Sequence, residues 1–229
     1  MNAPFFKSVV SLGGRVGAAA CGLFLLSAAP VPAVGTALSH AAVSTPVYYT
    51  PVNGSKLVIN GTSTLHQWSA TSTVLQGGLT ASGKFVSAAA PTITAIKLVI
   101  PVKDIKSSEG GGMDSTMYDA LHKGHHPFIR YTLKSATLKP AGFRQTAGVF
   151  AYNTTGVLRV NGVNKTSQLK LIVTDLPGSG LLVRVTTNLK MTDFNVSPPT
   201  AMLGIIRSGN TISINVAWRL AAGKANSGK

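Results

Sequence analysis

The sequence predicts an all-β fold, about eight antiparallel strands closed into a barrel or folded into a sandwich. Three observations carry this. Apolar and polar residues alternate through much of the chain after residue 47. Val, Ile and Leu are plentiful beside Thr and Ser, a mixture that suits pleated strands. Only 12% of residues are charged, about half the usual share, too few for a coiled coil or a long helical bundle. Hydrophobic residues make up 45% of the 229, so a sizeable core is affordable and disorder is excluded as the main state.

Residues 1–42 read as a secretory signal rather than as fold. Lys7 and Arg15 give a basic start, Val16–Ala29 is almost wholly small or apolar, and small residues continue to Ala41 and Ala42. That order, basic, apolar, then small, places cleavage near Ala41 or Ala42. A retained membrane anchor is the rival reading, but the apolar stretch is short and Pro30 and Pro32 break it. Cys21 sits in "GAAAC" with the long apolar run after it rather than before it, which argues against lipidation. With the signal go Lys7 and Arg15, so the net charge of +15 falls by two, to +13, and no cysteine remains. The expected location is periplasmic or secreted, in a bacterium. The domain reading is therefore 1–42 signal, 43–222 barrel, 223–229 disordered basic tail.

The strands follow in order. Short apolar runs occur at Leu57–Ile59, Trp68–Leu75, Leu79–Phe85, Ile129–Leu133 and Val157–Val160. Longer alternations appear at Ile96, Leu98, Ile100, Val102; at Leu169, Leu171, Val173; at Leu181–Met191; and at Ile212–Leu220. Asn53-Gly54, Gly77-Gly78, Asn161-Gly162, Pro177-Gly178 and Gly209-Asn210 supply turns between them. One segment departs from this period. After Gly110-Gly111-Gly112, Met113, Met117 and Leu121 recur every fourth residue, one face of a short helix that Gly124 and Pro127 end. It is either a plain cap on the core or a lid over a cavity, a use that suits adaptable Met side chains.

Catalytic chemistry is scarce. The six carboxylates, Asp104, Glu109, Asp114, Asp119, Asp175 and Asp193, form no evident acid–base couple. There is no nucleophile elbow, no phosphate-cradling glycine loop and no His-Glu-x-x-His helix. His122, His125 and His126 lie close in sequence, but the helix breakers beside them argue against a metal site; they read as a solvated helix end. His66, alone in "STLHQW", is either bonded to backbone or a contact for a ligand headgroup. The basic residues are scattered singly, with no Lys/Arg run and no aromatic RNA-binding motif, so no nucleic acid is expected. The diffuse charge serves solubility or weak attachment to an anionic membrane surface.

"INGTSTLHQWSATS" (59–72) resembles the first hairpin of the YceI-like proteins. "IKLVIPVKDIKSSEGGGMDSTMYDALHKGHHPFIRYTL" (96–133) resembles their strand, polar corner, helix and His-Pro step. "TTGVLRVNGVNKTSQLKLIV" (154–173) is similar to their next hairpin, and the segment around Thr192-Asp193-Phe194 to their closing strands. The likeness spans about residues 47–220. It departs from the family in its few acidic residues and in Thr192, where an Arg is usual. The resemblance implies a lipocalin-like β-barrel with one short helix in an insertion. It also implies a polyisoprenoid ligand, a polyprenyl chain or an isoprenoid quinone, and dimers among the family make a homodimer a candidate state.

On that reading no cofactor and no catalytic group is needed, and the barrel holds its lipid inside. The tunnel residues expected are Ile100 on its strand; Met113, Met117 and Leu121 on the helix; Ile129 and Tyr131; Leu158; Val173; Val185; Phe194; and Trp218. Some inward residues must instead pack a closed end. His66 and Trp68 are the headgroup candidates. Two rivals stand beside the lipid carrier: a barrel filled by its own side chains that works through its surface, and a metal-dependent enzyme built on His122, His125 and His126.

Overall fold

The structure, a computed structural model, describes residues 45–85, 91–139, 146–201, 203 and 205–223. The expected signal in residues 1–42, with Cys21, and residues 224–229 of the expected tail lie outside them. In chain order the strands are β1 (Val47–Pro51), β2 (Lys56–Thr62), β3 (Gln67–Ser72), β4 (Gln76–Ala81), β5 (Ile93–Pro101) and β6 (Lys106–Ser107). The helix α1 (Gly111–Ala120) follows, then β7 (Phe128–Leu138), β8 (Val149–Val160), β9 (Val163–Leu176) and β10 (Gly180–Lys190). A small hairpin, β11 (Thr200–Ala201) and β12 (Ile206–Arg207), precedes β13 (Thr211–Gly223).

These segments make a closed antiparallel barrel of eight walls. Five walls are single strands, β7, β8, β9, β10 and β13. Three are each broken into two segments: β1 with β2, β3 with β4, β5 with β6. The long β13 closes the barrel, pairing with β10 along one edge and with β2 and β1 along the other. The β1–β2 break is held against β13. Val52 N–H and Ser55 Oγ both reach Arg219 O, and Arg219 N–H returns to Ser55 Oγ. The backbone of Val52 and Arg219 thus stays paired across the kink.

The expected strands are all present, with four trimmed ends: the runs expected to reach Leu75 and Phe85 stop at Ser72 and Ala81. Val102 and Met191, expected as the last residues of strands, fall instead in 3-10 turns, Val102–Asp104 and Met191–Phe194. The expected helix is α1, ending one residue short of its last apolar position: Leu121 is its C-cap, and His122 follows at φ 46°.

Inward side chains alternate along every wall, as the two-residue period of a strand requires. The closed end of the barrel is filled. The Phe85 ring meets Tyr49 and Tyr152 edge to face and Phe150 at a tilt, with centroids 5.9, 6.3 and 5.8 Å away. Its backbone N–H donates to Tyr49 Oη, and Tyr152 Oη donates to Pro91 O at 2.7 Å. Burial pushes both phenols up, Tyr152 most. Tyr152 is almost completely buried, and Leu79, Val173 and Leu220 fully so.

Candidate functional site

At the other end the inward side chains do not meet. They enclose a cavity of about 190 Å³ whose wall is almost wholly hydrocarbon. Leu57 and Ile59 of β2, Ile96, Leu98 and Ile100 of β5, and Ile129 of β7 line it. So do Leu158 of β8, Leu169 and Leu171 of β9, Val183 and Val185 of β10, and Ile212, Ile214 and Val216 of β13. Small and aliphatic residues leave this space because β-branched and leucine side chains are too short to span the barrel. Tyr131 and Trp218, also in the lining, mark the side toward the filled end.

Tyr131 reaches across because position 156 is glycine: a Cβ there would lie 2.5 Å from the Tyr131 ring. The Tyr131 hydroxyl meets Thr154 Oγ1 at 3.2 Å, and Thr154 Oγ1 itself donates to Leu169 O. Burial holds the Tyr131 phenol above its ordinary value. Trp218 is 2% exposed, and its indole N–H has no partner among the described residues, an unmet donor in the barrel interior.

The cavity is roofed by α1. Met113, Met117, Ala120 and Leu121 face it, so the helix is a lid rather than a cap on a solid core. Met191, Phe194, Val196 and Pro199 complete the roof from the β10–β13 connection. Met191, Phe194 and Val196 pack with Ala120 and Leu121 into a small second core. Two polar clamps hold the lid. At its start Asp114 Oδ1 accepts the Ser107 N–H at 2.6 Å, and Asp114 Oδ2 pairs with Lys106 Nζ at 3.3 Å. The backbone N–H first, and the lysine after it, keep the Asp114 carboxyl below the ordinary range. At its end His122 Nδ1 meets Asn161 Oδ1 at 2.8 Å, while Asn161 Nδ2 donates to Phe194 O and Asn195 O. One turn residue of the β8–β9 hairpin thus ties the lid to the opposite side of the roof.

Of the eleven side chains expected in a tunnel, ten line this cavity: Ile100, Met113, Met117, Leu121, Ile129, Tyr131, Leu158, Val185, Phe194 and Trp218. Val173 does not. It pairs with Phe150 and Val183 in register and is sealed into the core toward the filled end. Trp68 lines the cavity, its ring laid over Gly61, where a Cβ would lie 2.2 Å away, and its N–H on Thr62 O. His66 is on the outside. It sits in the exposed β2–β3 turn, its Nε2 3.3 Å from Glu109 Oε2, a carboxylate rather than a backbone partner. His122, His125 and His126 do not converge: His122 is engaged with Asn161, and His126 packs under Gly162. Among the described residues no group of three or more His, Cys, Asp or Glu side chains could hold a metal ion.

Lining residues such as Leu57, Leu98, Leu169 and Ile214 belong to alternations visible in the sequence, but alternation alone does not rank them. Met191 closes the Leu181–Met191 alternation, but Val196 and Pro199 carry no periodic signal, because the roof connection is irregular.

The barrel and lid occur within a region, residues 42–220, that matches the model of the YceI-like domain. The chain belongs to the YceI-like family. Solved YceI-like folds are similar across most of the barrel. A polyisoprenoid-binding domain from Saccharophagus degradans, implicated in plant cell wall breakdown, shares 15% identity at a TM-score of 0.56. The match covers 77% of this chain and 98% of that one. BcnA of Burkholderia cenocepacia shares 18% identity at a TM-score of 0.54, over 73% and 96% of the two chains. At these identities the likeness is one of fold. Among curated proteins none matches the chain.

Proposed function

We propose that this YceI-like protein is a non-enzymatic carrier that holds the apolar chain of an isoprenoid-type lipid inside its barrel, in the periplasm or outside the cell. The observation that carries the reading is the roofed cavity. Its lining is hydrocarbon from wall to lid, so it offers a lipid chain burial at roughly 25 cal/mol per Å² of apolar surface removed from water and offers water almost no hydrogen-bond partner. The polyisoprenoid-binding domain with the same fold supports the choice of an isoprenoid over a straight acyl chain. A barrel that works only through its surface has no use for this space, and a histidine-based metalloenzyme has no converged ligands among the described residues.

A long-chain ubiquinone serves as the probe, since it quenches indole fluorescence and the chain has two tryptophans, Trp68 and Trp218, both in the lining. Quenching should saturate near one quinone per chain. Met117→Glu, which sets a carboxylate under the roof, should lower the affinity at least tenfold while the β-sheet circular dichroism is kept. Displacement by a polyprenyl phosphate of equal length then distinguishes recognition of the tail from recognition of the headgroup. Quenching that never saturates, or is equal in the variant, rejects the carrier.

A further inference from the structure

Next to the roof the protein presents aliphatic side chains that nothing in the barrel uses. β11 and β12 form a two-rung hairpin, Thr200 opposite Arg207 and Ala201 opposite Ile206. Between its rungs Leu203 is fully exposed and Ile205 is 74% exposed. Leu65, in the β2–β3 turn, is 66% exposed. The two tips are bound into one unit. Thr64 N–H donates to Arg207 O at 3.0 Å, Thr64 Oγ1 donates to Ile205 O at 3.3 Å, Gly209 N–H donates to Thr62 O, and Ser63 bridges Ser208. Leu203 sits at φ 56°, a conformation that is strained for a bulky side chain and relaxed for glycine. The barrel gains no packing from that leucine.

The unit is continuous with the cavity. Pro199, in its lining, immediately precedes β11, and Val196 stands three residues earlier. Trp68, on the other side, follows the turn that carries Leu65. A chain leaving the cavity past the roof would therefore emerge beside these side chains.

We infer that Leu65, Leu203 and Ile205 form a prong that dips into the apolar part of a lipid bilayer and sets the mouth of the cavity against it. This rests on the carrier reading, and it names the surface from which cargo is loaded. Area decides the occupant. Three side chains on two loop tips fall far short of the roughly 800 Å² per partner that a stable protein interface buries, so a second copy of the chain is a poor match. A bilayer needs no shape complement, and aliphatic side chains at its surface are drawn into the acyl boundary. The net positive charge, +15 for the whole sequence and still strongly positive without Lys7 and Arg15, adds attraction to anionic headgroups.

The test places an environment-sensitive fluorophore on the cysteine of Leu203→Cys, in a Cys21→Ser background of the full chain. Ser179→Cys, in the exposed β9–β10 turn, is the control. The vesicles are phosphatidylcholine alone and phosphatidylcholine with one quarter phosphatidylglycerol, each with brominated acyl chains. The expected result is blue-shifted, quenched emission at 203 and unchanged emission at 179, with tighter binding to the anionic vesicles. In the same assay, replacing Leu65 and Ile205 by Ser should weaken quenching at 203 at least fivefold. Emission at 203 that stays that of water on both vesicles overturns the prong. So does a concentration-dependent shift at 203 without vesicles, which would give the tips to a second copy. The amount of lipid extracted from the same preparations is read separately. Lipid present with a wet prong defeats the prong alone, whereas a buried prong with no lipid and no quinone binding defeats the carrier reading alone.

Discussion

At one end of the barrel Phe85 stands among Tyr49, Phe150 and Tyr152, rings touching and hydroxyls paired. Further along the same walls Leu57, Leu98, Leu158 and Ile214 face one another across empty space. Both ends obey one rule of alternation. What differs is side-chain size and what the loops bring inward. Aromatic residues span the closed end, and the segment after β4 folds Phe85 into its centre. Aliphatic residues leave the other end open, and a methionine-bearing helix covers it. A barrel becomes a plug or a container by the volume of its inward residues, with no change in hydrogen-bonded framework.

The largest expected effect sharpens that contrast. Phe85→Ala should destabilise the protein by about 3–5 kcal/mol, as truncation of a buried aromatic does. Met117→Ala, on the half-buried lid over existing space, should cost less than about 1 kcal/mol, because little new cavity is created. Urea unfolding measures both, and equal losses would break the distinction between a packed and a hollow end. Next comes the clamp at the end of the lid. Asn161→Ala removes the groups that meet His122 Nδ1, Phe194 O and Asn195 O. A loss of about 1–3 kcal/mol is expected, with faster hydrogen exchange at the C-terminal turn of α1 and little change in β4 or β9.

The clamp at the start of the lid gives a pH dependence. The Asp114 carboxyl lies below its ordinary value in the folded chain. Its contribution is therefore complete above the unfolded aspartate value, about 3.9, and is lost as pH falls through the lower, folded one. Exchange of the α1 amides, followed from pH 6 downward, should accelerate in that acid window, and Asp114→Asn should flatten the response there. An unchanged profile in the variant would remove Asp114 from the account. The smallest effect is Trp218→Phe. Its buried N–H has no partner among the described residues, so deleting it relieves an unmet donor and offsets part of the lost ring volume. The unfolding free energy should stay within about 1.5 kcal/mol; a loss above about 3 kcal/mol would mean that the indole is anchored.

Much of this was legible in the sequence because strand walls announce themselves. The pattern at Leu181–Leu189 and at Ile212–Leu220 names inward residues directly, and the four-residue spacing of Met113, Met117 and Leu121 names a helix face. The pattern could not say which inward residue packs and which lines a void. Val173 and Leu171 are two apart on one strand, share a face, and fall on opposite sides of that division. Nor could the pattern say which way His66 points. Its neighbour Trp68 turns in and covers Gly61, but His66 belongs to the turn, where alternation has ended and a surface carboxylate, Glu109, is in reach. The roof residues Val196 and Pro199, and the Asn161 clamp, depend on contacts between distant segments and leave no local period to read.

The central claim is that the hollow end exists to hold a lipid chain. Its most direct test is mass spectrometry of an organic extract from protein purified out of its native cells without detergent, beside the Leu158→Glu variant treated alike. The account predicts one isoprenoid species near one per chain in the wild type, and none in a variant whose far-ultraviolet circular dichroism still shows the barrel. Wild-type protein that emerges folded and free of lipid, and that takes up neither a quinone nor a polyprenyl phosphate when offered, would contradict it.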